Sequence, residues 1–222
     1  MFKVEIKIDN MIKEKVQNAS VCCIEASIKV EESSEELIEY IKAECEKIEK
    51  EMTTEDIASN DVIKANRTAY KACGKNPSRY RTSSEALLRR IVQGKGIYFV
   101  NNIVDINNVV SMKSGFSIGS YNTDKIHGDI VLTVGKEGEC YQGIGKGDIN
   151  IENMPVLMDD DGKFGSPTSD SKRALIDDDA ENIIMCIYSF SGTEGLKEAS
   201  DEACNLLEKY ASAKNIKVGI YE

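Results

Sequence analysis

Several residue types that carry chemistry are scarce in this 222-residue chain. It has no tryptophan, three prolines and one histidine. Any Ser-His-Asp or Cys-His arrangement would have to use His127. Its setting, IHGD, reads instead as an exposed turn. Seven cysteines stand at 22, 23, 45, 73, 140, 186 and 204, an odd number with no C-x-x-C. That pattern points to neither a disulfide framework nor a zinc ribbon, so no metal or cofactor is expected. No stretch approaches the ~18–20 apolar residues of a membrane span. The opening MFKVEIKIDN alternates apolar and polar residues and lacks the apolar block of a signal peptide. A cytoplasmic protein without a membrane partner is expected. There is no GxxxxGK[ST]. The run Gly143–Gly147 lacks the hydroxyl residue and following helix of a phosphate loop and reads as a hairpin. Asp159–Gly162 lacks the alternate spacing of a calcium loop and reads as a tight turn.

What the chain does have is an uneven charge. Its net charge is −10, which argues against a surface that holds DNA all over. Between Lys64 and Lys95, however, nine basic residues face one acid, Glu85. The segment is +8 and the remainder −18. Two readings stay open, a localised anion-binding face or a solvated helix face that balances acidic neighbours.

The periodicity predicts a mixed α+β chain. Residues 2–8 and 19–30 read as strands. Ser33 and Glu36 form a capping box ahead of a helix to about Met52, and a second helix is expected from Asn60 to Cys73, ended by Gly74. Thr82 with Glu85 is another capping box, opening a helix that Gly94 can end. A short helix is expected at Asp105–Lys113, then antiparallel strands, a helix over about Thr193–Ala213 and a last strand, IKVGIY. The expected architecture is one α+β domain over 1–222, a β-rich, sandwich-like core with flanking helices and a helical N-terminal elaboration. It divides into 1–75 (N-terminal strands and helices), 76–190 (core) and 191–222 (C-terminal helix and strand).

Two polar clusters stand out. In Asp105-Ile106-Asn107-Asn108, an asparagine amide could read a ligand's carbonyl or hydroxyl, or could satisfy local backbone. The run Ser166–Arg173 is dense in hydroxyls, which suits either a pocket wall or an ordinary Ser/Thr/Pro loop.

The run VDINNVVSMKSGFSIGSYNTDKIHGDIVL resembles the tRNA-editing and tRNA-binding (B3/B4) domain in the beta subunit of bacterial phenylalanyl-tRNA synthetases. Val104-Asp105, Asn108 and Val109 stand at its Val-Asp, Asn and Tyr, while Tyr121 and Asp124-Lys125 stand at its aromatic and Asp-Lys. Residues 179–184 look like its E-T-K-N-V-L strand. NPSRYRTSSEALLRRIVQGKG and SPTSDSKRALI look like stand-alone relatives without a synthetase core. The resemblance covers roughly residues 65–190.

It implies a domain that binds the aminoacylated acceptor end of tRNA and hydrolyses a mischarged ester in trans. Such double-sieve chemistry needs a positioned water and oxyanion donors rather than a triad. Carried over by the resemblance are Asn107 and Asn108 as catalytic, with Gly119, Ser120, Tyr121 and Cys186 lining the substrate pocket. Asp170 and Ser171 join the pocket from polar density, and Lys71, Lys75, Arg79, Arg81, Arg89 and Arg90 are the expected RNA-binding set. Gly119 stands where the family has its pocket histidine, and Cys186 where it has the glutamate that reads a tyrosine hydroxyl. These departures favour a second reading, a non-catalytic module holding tRNA, an amino acid or a small metabolite. A third is an unrelated role for a retained fold. Nothing resembles an aminoacylation core.

Overall fold

A computed structural model describes residues 4–145 and 147–222. In chain order its first half runs β1 (Ile6–Ile8), α1 (Asn10–Lys13), β2 (Ser20–Ser27), α2 (Glu35–Glu51), α3 (Thr54–Ser59), α4 (Asp61–Cys73), α5 (Ser83–Ile91) and α6 (Asn102–Ser114). Then follow β3 (Ser117–Asn122), β4 (Ile130–Val134), β5 (Cys140–Gln142), β6 (Asp148–Asn150), β7 (Pro155–Asp159), β8 (Gly162–Gly165), β9 (Asn182–Ser189), α7 (Leu196–Tyr210) and β10 (Lys214–Tyr221).

Strand alternation builds the layers. Successive side chains of a strand point to opposite faces, and both faces of β2 and β9 are apolar. Cys22, Ile24, Ala26, Ile183, Met185 and Ile187 pack into a core with α2, α5, α6 and α7. Val21, Cys23, Ile184, Cys186 and Tyr188 enter a second core with β1, β4, β7 and β8. The main sheet, ordered β10-β2-β9-β3 and antiparallel, therefore lies between a helical layer and a second sheet, β1-β4-β7-β8. The N-terminal third supplies helices α2–α4 and also β2, which sits inside the main sheet. This is the expected α+β sandwich with flanking helices.

Local signals held where tertiary contacts did not compete. Asn60 caps α4, and Gly74, at φ 97°, ends it in the left-handed conformation that favours glycine. Asp160-Asp161 turns the β7–β8 hairpin, and Gly143 and Gly147 flank the β5–β6 turn, whose Lys146 lies outside the described residues, as do residues 2 and 3 of the expected first strand. Elsewhere packing won. Ser34, not Ser33, caps α2; the Ser33 hydroxyl donates to Asp105 at 2.6 Å instead. Thr82 makes no side-chain cap, because the Ser83 amide donates to the Pro167 carbonyl and the Ser84 amide to the Ser117 hydroxyl. Helix α6 starts three residues earlier than expected, with Asn101 as its cap. The first strand pairs with β4 in parallel, and β4 pairs with β7 antiparallel.

Candidate functional site

Strand β3 places the expected pocket residues, and its alternation divides them. Ser120 points toward the helical layer and its hydroxyl donates to the Asn107 side-chain Oδ1 at 2.9 Å; each residue keeps 8% exposure. Asn108 beside them is half-buried. Gly119 and Tyr121 face the other way, toward the second sheet, where Gly119 pairs with Cys186. The main sheet thus separates Asn107 and Ser120 from Gly119, Tyr121, Cys186 and Asp170.

The second-sheet side is filled by the chain's own tyrosines. Tyr121 is fully buried and meets Phe164 edge-on, with ring centroids 4.8 Å apart. Its hydroxyl lies over two glycines. A Cβ on Gly119 would come within 2.2 Å of that oxygen, and one on Gly165 within 2.1 Å. A histidine at 119, as the resembled family carries, cannot coexist with Tyr121 in this position. The Tyr121 hydroxyl donates to Asp170 Oδ1 at 2.8 Å and lies 2.7 Å from the Tyr188 hydroxyl. Cys186 Sγ sits 3.5 Å from Cys23 Sγ on the adjacent strand.

Asp170 closes a tight loop. Its Oδ1 also accepts the Ser166 amide, while the Ser166 hydroxyl donates to the Ser169 carbonyl and accepts the Thr168 and Ser169 amides. The Tyr70 hydroxyl meets Thr168, and the Tyr141 hydroxyl donates to the Ser169 carbonyl. Burial pushes the Asp170 carboxyl up to about 6, against the pull of Tyr121 and Ser166 toward the charged form. Burial likewise raises Tyr121 and Tyr188, so both stay neutral donors at physiological pH. Ser171 is buried; its amide donates to the Phe164 carbonyl and its hydroxyl accepts the Arg173 amide. Arg173 in turn forks onto Asp159.

The basic segment is partly spent inside the fold. Glu85, 1% exposed, is clasped by Arg67 at 2.5 Å and Arg89 at 2.7 Å, with Arg81 at 3.6 Å. Burial alone would raise its carboxyl, but the Arg67 and Arg89 guanidiniums hold it below its usual range. Lys75 is buried. Its ammonium donates to the Asn150 backbone and side-chain oxygens and the Glu152 carbonyl, and burial holds it below the usual lysine range. It is a structural lysine, unavailable to a phosphate. Lys71 and Arg79 stay exposed, at the end of α4 and in the loop after it.

A surface site remains. Arg81, Ala86, Arg89, Arg90, Gln93 and Lys95 line a shallow depression of about 350 Å³. Beside it the Arg90 guanidinium stacks 4.1 Å from the Tyr98 ring, and its Nη2 donates to the Lys95 carbonyl. Tyr98 is 71% and Val100 63% exposed, with Phe99 between them also open. Exposed large apolar side chains in sequence with a basic depression are a feature that marks interaction surfaces. The sequence signal is the basic-aromatic interleaving R-R-I-V-Q-G-K-G-I-Y-F-V, in which Arg89 and Arg90 belong to the expected RNA-binding set and Lys95 to the basic segment.

A family model for the B3/4 domain matches residues 65–212. Among solved structures, an N-terminal fragment of the phenylalanyl-tRNA synthetase beta subunit from Pyrococcus horikoshii superposes with a TM-score of 0.51 at 14% identity. The match covers 99% of this chain and 51% of that one, so this chain spans about half the length of that fragment. At that identity the likeness concerns the fold. No curated protein matches the sequence.

Proposed function

This chain belongs to the B3/4 domain family, and from that premise we propose that it is a cytoplasmic tRNA-binding domain that receives the acceptor end on the Arg81–Val100 surface. The observation that carries the reading is the stacked Arg90–Tyr98 pair beside the basic depression. A single-stranded RNA end needs two things: cations along its phosphates and aromatic faces for its unstacked bases. Arg81, Arg90 and Lys95 supply the first, Tyr98 and Phe99 the second; Arg89 is held by Glu85. The surface is local, which fits a chain of net charge −10 that must not hold nucleic acid everywhere. The name of the similar solved structure, a tRNA synthetase subunit, supports the choice of tRNA.

A second reading is hydrolysis of a mischarged aminoacyl ester in trans. It is favoured by the Asn107–Ser120 hydrogen bond with Asn108 beside it, polar groups that keep some exposure on the helical side of β3. Against it stands the packed interior around Gly119, Tyr121 and Cys186. One experiment separates the two. The protein is incubated with correctly charged and mischarged aminoacyl-tRNAs, with Asn108→Ala alongside, and both binding and deacylation are followed. Binding without deacylation supports the first reading. Deacylation of one class, lost in Asn108→Ala, establishes the second. No binding to any tRNA removes both.

A further inference from the structure

We infer that the depression beside α5 is a subsite for a phosphomonoester, the group at the 5′ end of an RNA chain. Its lining holds four cations, Arg81, Arg89, Arg90 and Lys95, together with Gln93 and Ala86, and no carboxylate. The spacing along α5 gathers them. Arg81, Glu85 and Arg89 follow at intervals of four, and Ala86 stands four before Arg90, so each set shares a helix face. Ala86 is exposed and contributes a single methyl, which leaves the space between the long side chains open. Glu85 lies behind the lining at 1% exposure. Arg67 meets both its oxygens, through Nε to Oε2 at 2.9 Å and Nη2 to Oε1 at 2.5 Å. Arg89 donates to Oε1 through Nε alone, at 2.7 Å, and Arg81 Nε stays 3.6 Å from the same oxygen. The Nη groups of Arg81 and Arg89 have no partner among the described residues.

The other two cations are no better matched. Lys95 Nζ donates to the neutral Gln93 side-chain oxygen at 2.9 Å. Arg90 spends Nη2 on the Lys95 carbonyl, and its Nε–H, shielded from solvent, has no acceptor, a donor the fold alone leaves unsatisfied. Glu49 of α2 comes close to Gly94 and lines none of the depression. Five cations, Arg67 included, therefore face one carboxylate, a surplus of +4 around a space of about 350 Å³. Like charges gathered this closely repel, so the lining favours a ligand with more than one negative charge. A phosphomonoester carries about −1.5 to −2 near pH 7 and presents three acceptor oxygens, more of both than a diester in mid-chain. Guanidinium forks match such oxygens in pairs. A free nucleotide offers the same group. Tyr98, stacked on Arg90 and 71% exposed, gives an adjoining base an aromatic face in either case. That the RNA is tRNA rests on the proposed function; the phosphomonoester rests on the depression itself.

Fluorescence anisotropy at physiological salt tests this with one tRNA prepared in two forms, 5′-phosphate and 5′-hydroxyl, beside calorimetry with adenosine 5′-monophosphate and adenosine. The 5′-phosphate form is expected to bind about tenfold tighter. Arg81→Gln alters an exposed side chain, keeps the melting midpoint and should bring the two forms to equal affinity. Lys42→Gln removes an exposed cation of α2 outside the depression and should keep the difference, which separates a subsite from general charge attraction. Equal affinity of the wild type for the two forms overturns the phosphomonoester subsite and leaves the tRNA reading standing. So does a preference that Arg81→Gln retains, or one that Lys42→Gln loses as well. Binding of the monophosphate but not of adenosine or any tRNA, abolished by Arg81→Gln, upholds the subsite with free nucleotide as its source and removes the tRNA reading. No binding of tRNA or nucleotide overturns both.

Discussion

Replacing Asp170 with asparagine removes a carboxylate that the fold holds in an unfavourable place. In the unfolded chain this carboxyl ionises near 3.8; in the folded state burial moves that point to about 6. Between the two values the folded protein binds more protons than the unfolded one, so stability falls as pH rises through this window. Once both states are ionised, the deficit is ~2–3 kcal/mol, the lower figure allowing for the residue's partial exposure. Asparagine keeps an oxygen that can accept from the Tyr121 hydroxyl and the Ser166 amide, the two bonds that fix the loop, and it carries no charge to desolvate. The Asp170→Asn variant should therefore match the wild type in urea unfolding near pH 4 and exceed it by ~2–3 kcal/mol near pH 7.5. Two stability curves that run parallel across this range would refute the argument. So would an equal loss of stability at both pH values, which would mean that the charge itself holds the loop.

Other perturbations probe neighbouring parts of the fold. Gly119→Ala forces the Tyr121 hydroxyl off its position between two glycines and should lower stability by ~1–3 kcal/mol in chemical denaturation; Gly119→His should cost more. Glu85→Gln leaves Arg67 and Arg89 without their shared carboxylate and should destabilise by ~3 kcal/mol, read by the same assay. In RNA titrations Tyr98→Ala should weaken binding by ~1–3 kcal/mol with little change in salt dependence, because it removes a stacking face and no charge. Arg81→Ala should instead lower the slope of log K against log salt by about one.

The layers were legible where one face of an element is apolar and nothing else competes for its polar groups. Helix α4 ran as its pattern indicates, from an asparagine cap to a glycine. The strands of β9 and β10 were visible as runs rich in branched residues. Three features were not readable, each because a distant residue decides it. The Thr82 capping box failed because Pro167 and Ser117 reach the first amides of α5, and Glu85 is then drawn to arginines from two helices. Lys75 counted as surface charge in the sequence, yet it caps the carbonyls of residues 150 and 152, which no local pattern reveals. The division of the site residues by the main sheet follows from period-two alternation along Ser117–Asn122. It could have been anticipated once that run was taken as a strand. The tyrosines that fill the second-sheet side come from four separated segments, and only the fold brings Tyr70, Tyr121, Tyr141 and Tyr188 to one loop.

The central claim is that the Arg81–Val100 surface receives the acceptor end of tRNA, and one titration addresses it most directly. Fluorescence anisotropy would compare an intact tRNA with the same tRNA lacking its single-stranded 3′ end, for the wild type and for Arg90→Ala/Tyr98→Ala. Preference for the intact end, lost in the double variant while the melting midpoint is unchanged, is the expected result. Equal binding of both RNAs, or intact binding by the double variant, would contradict the claim.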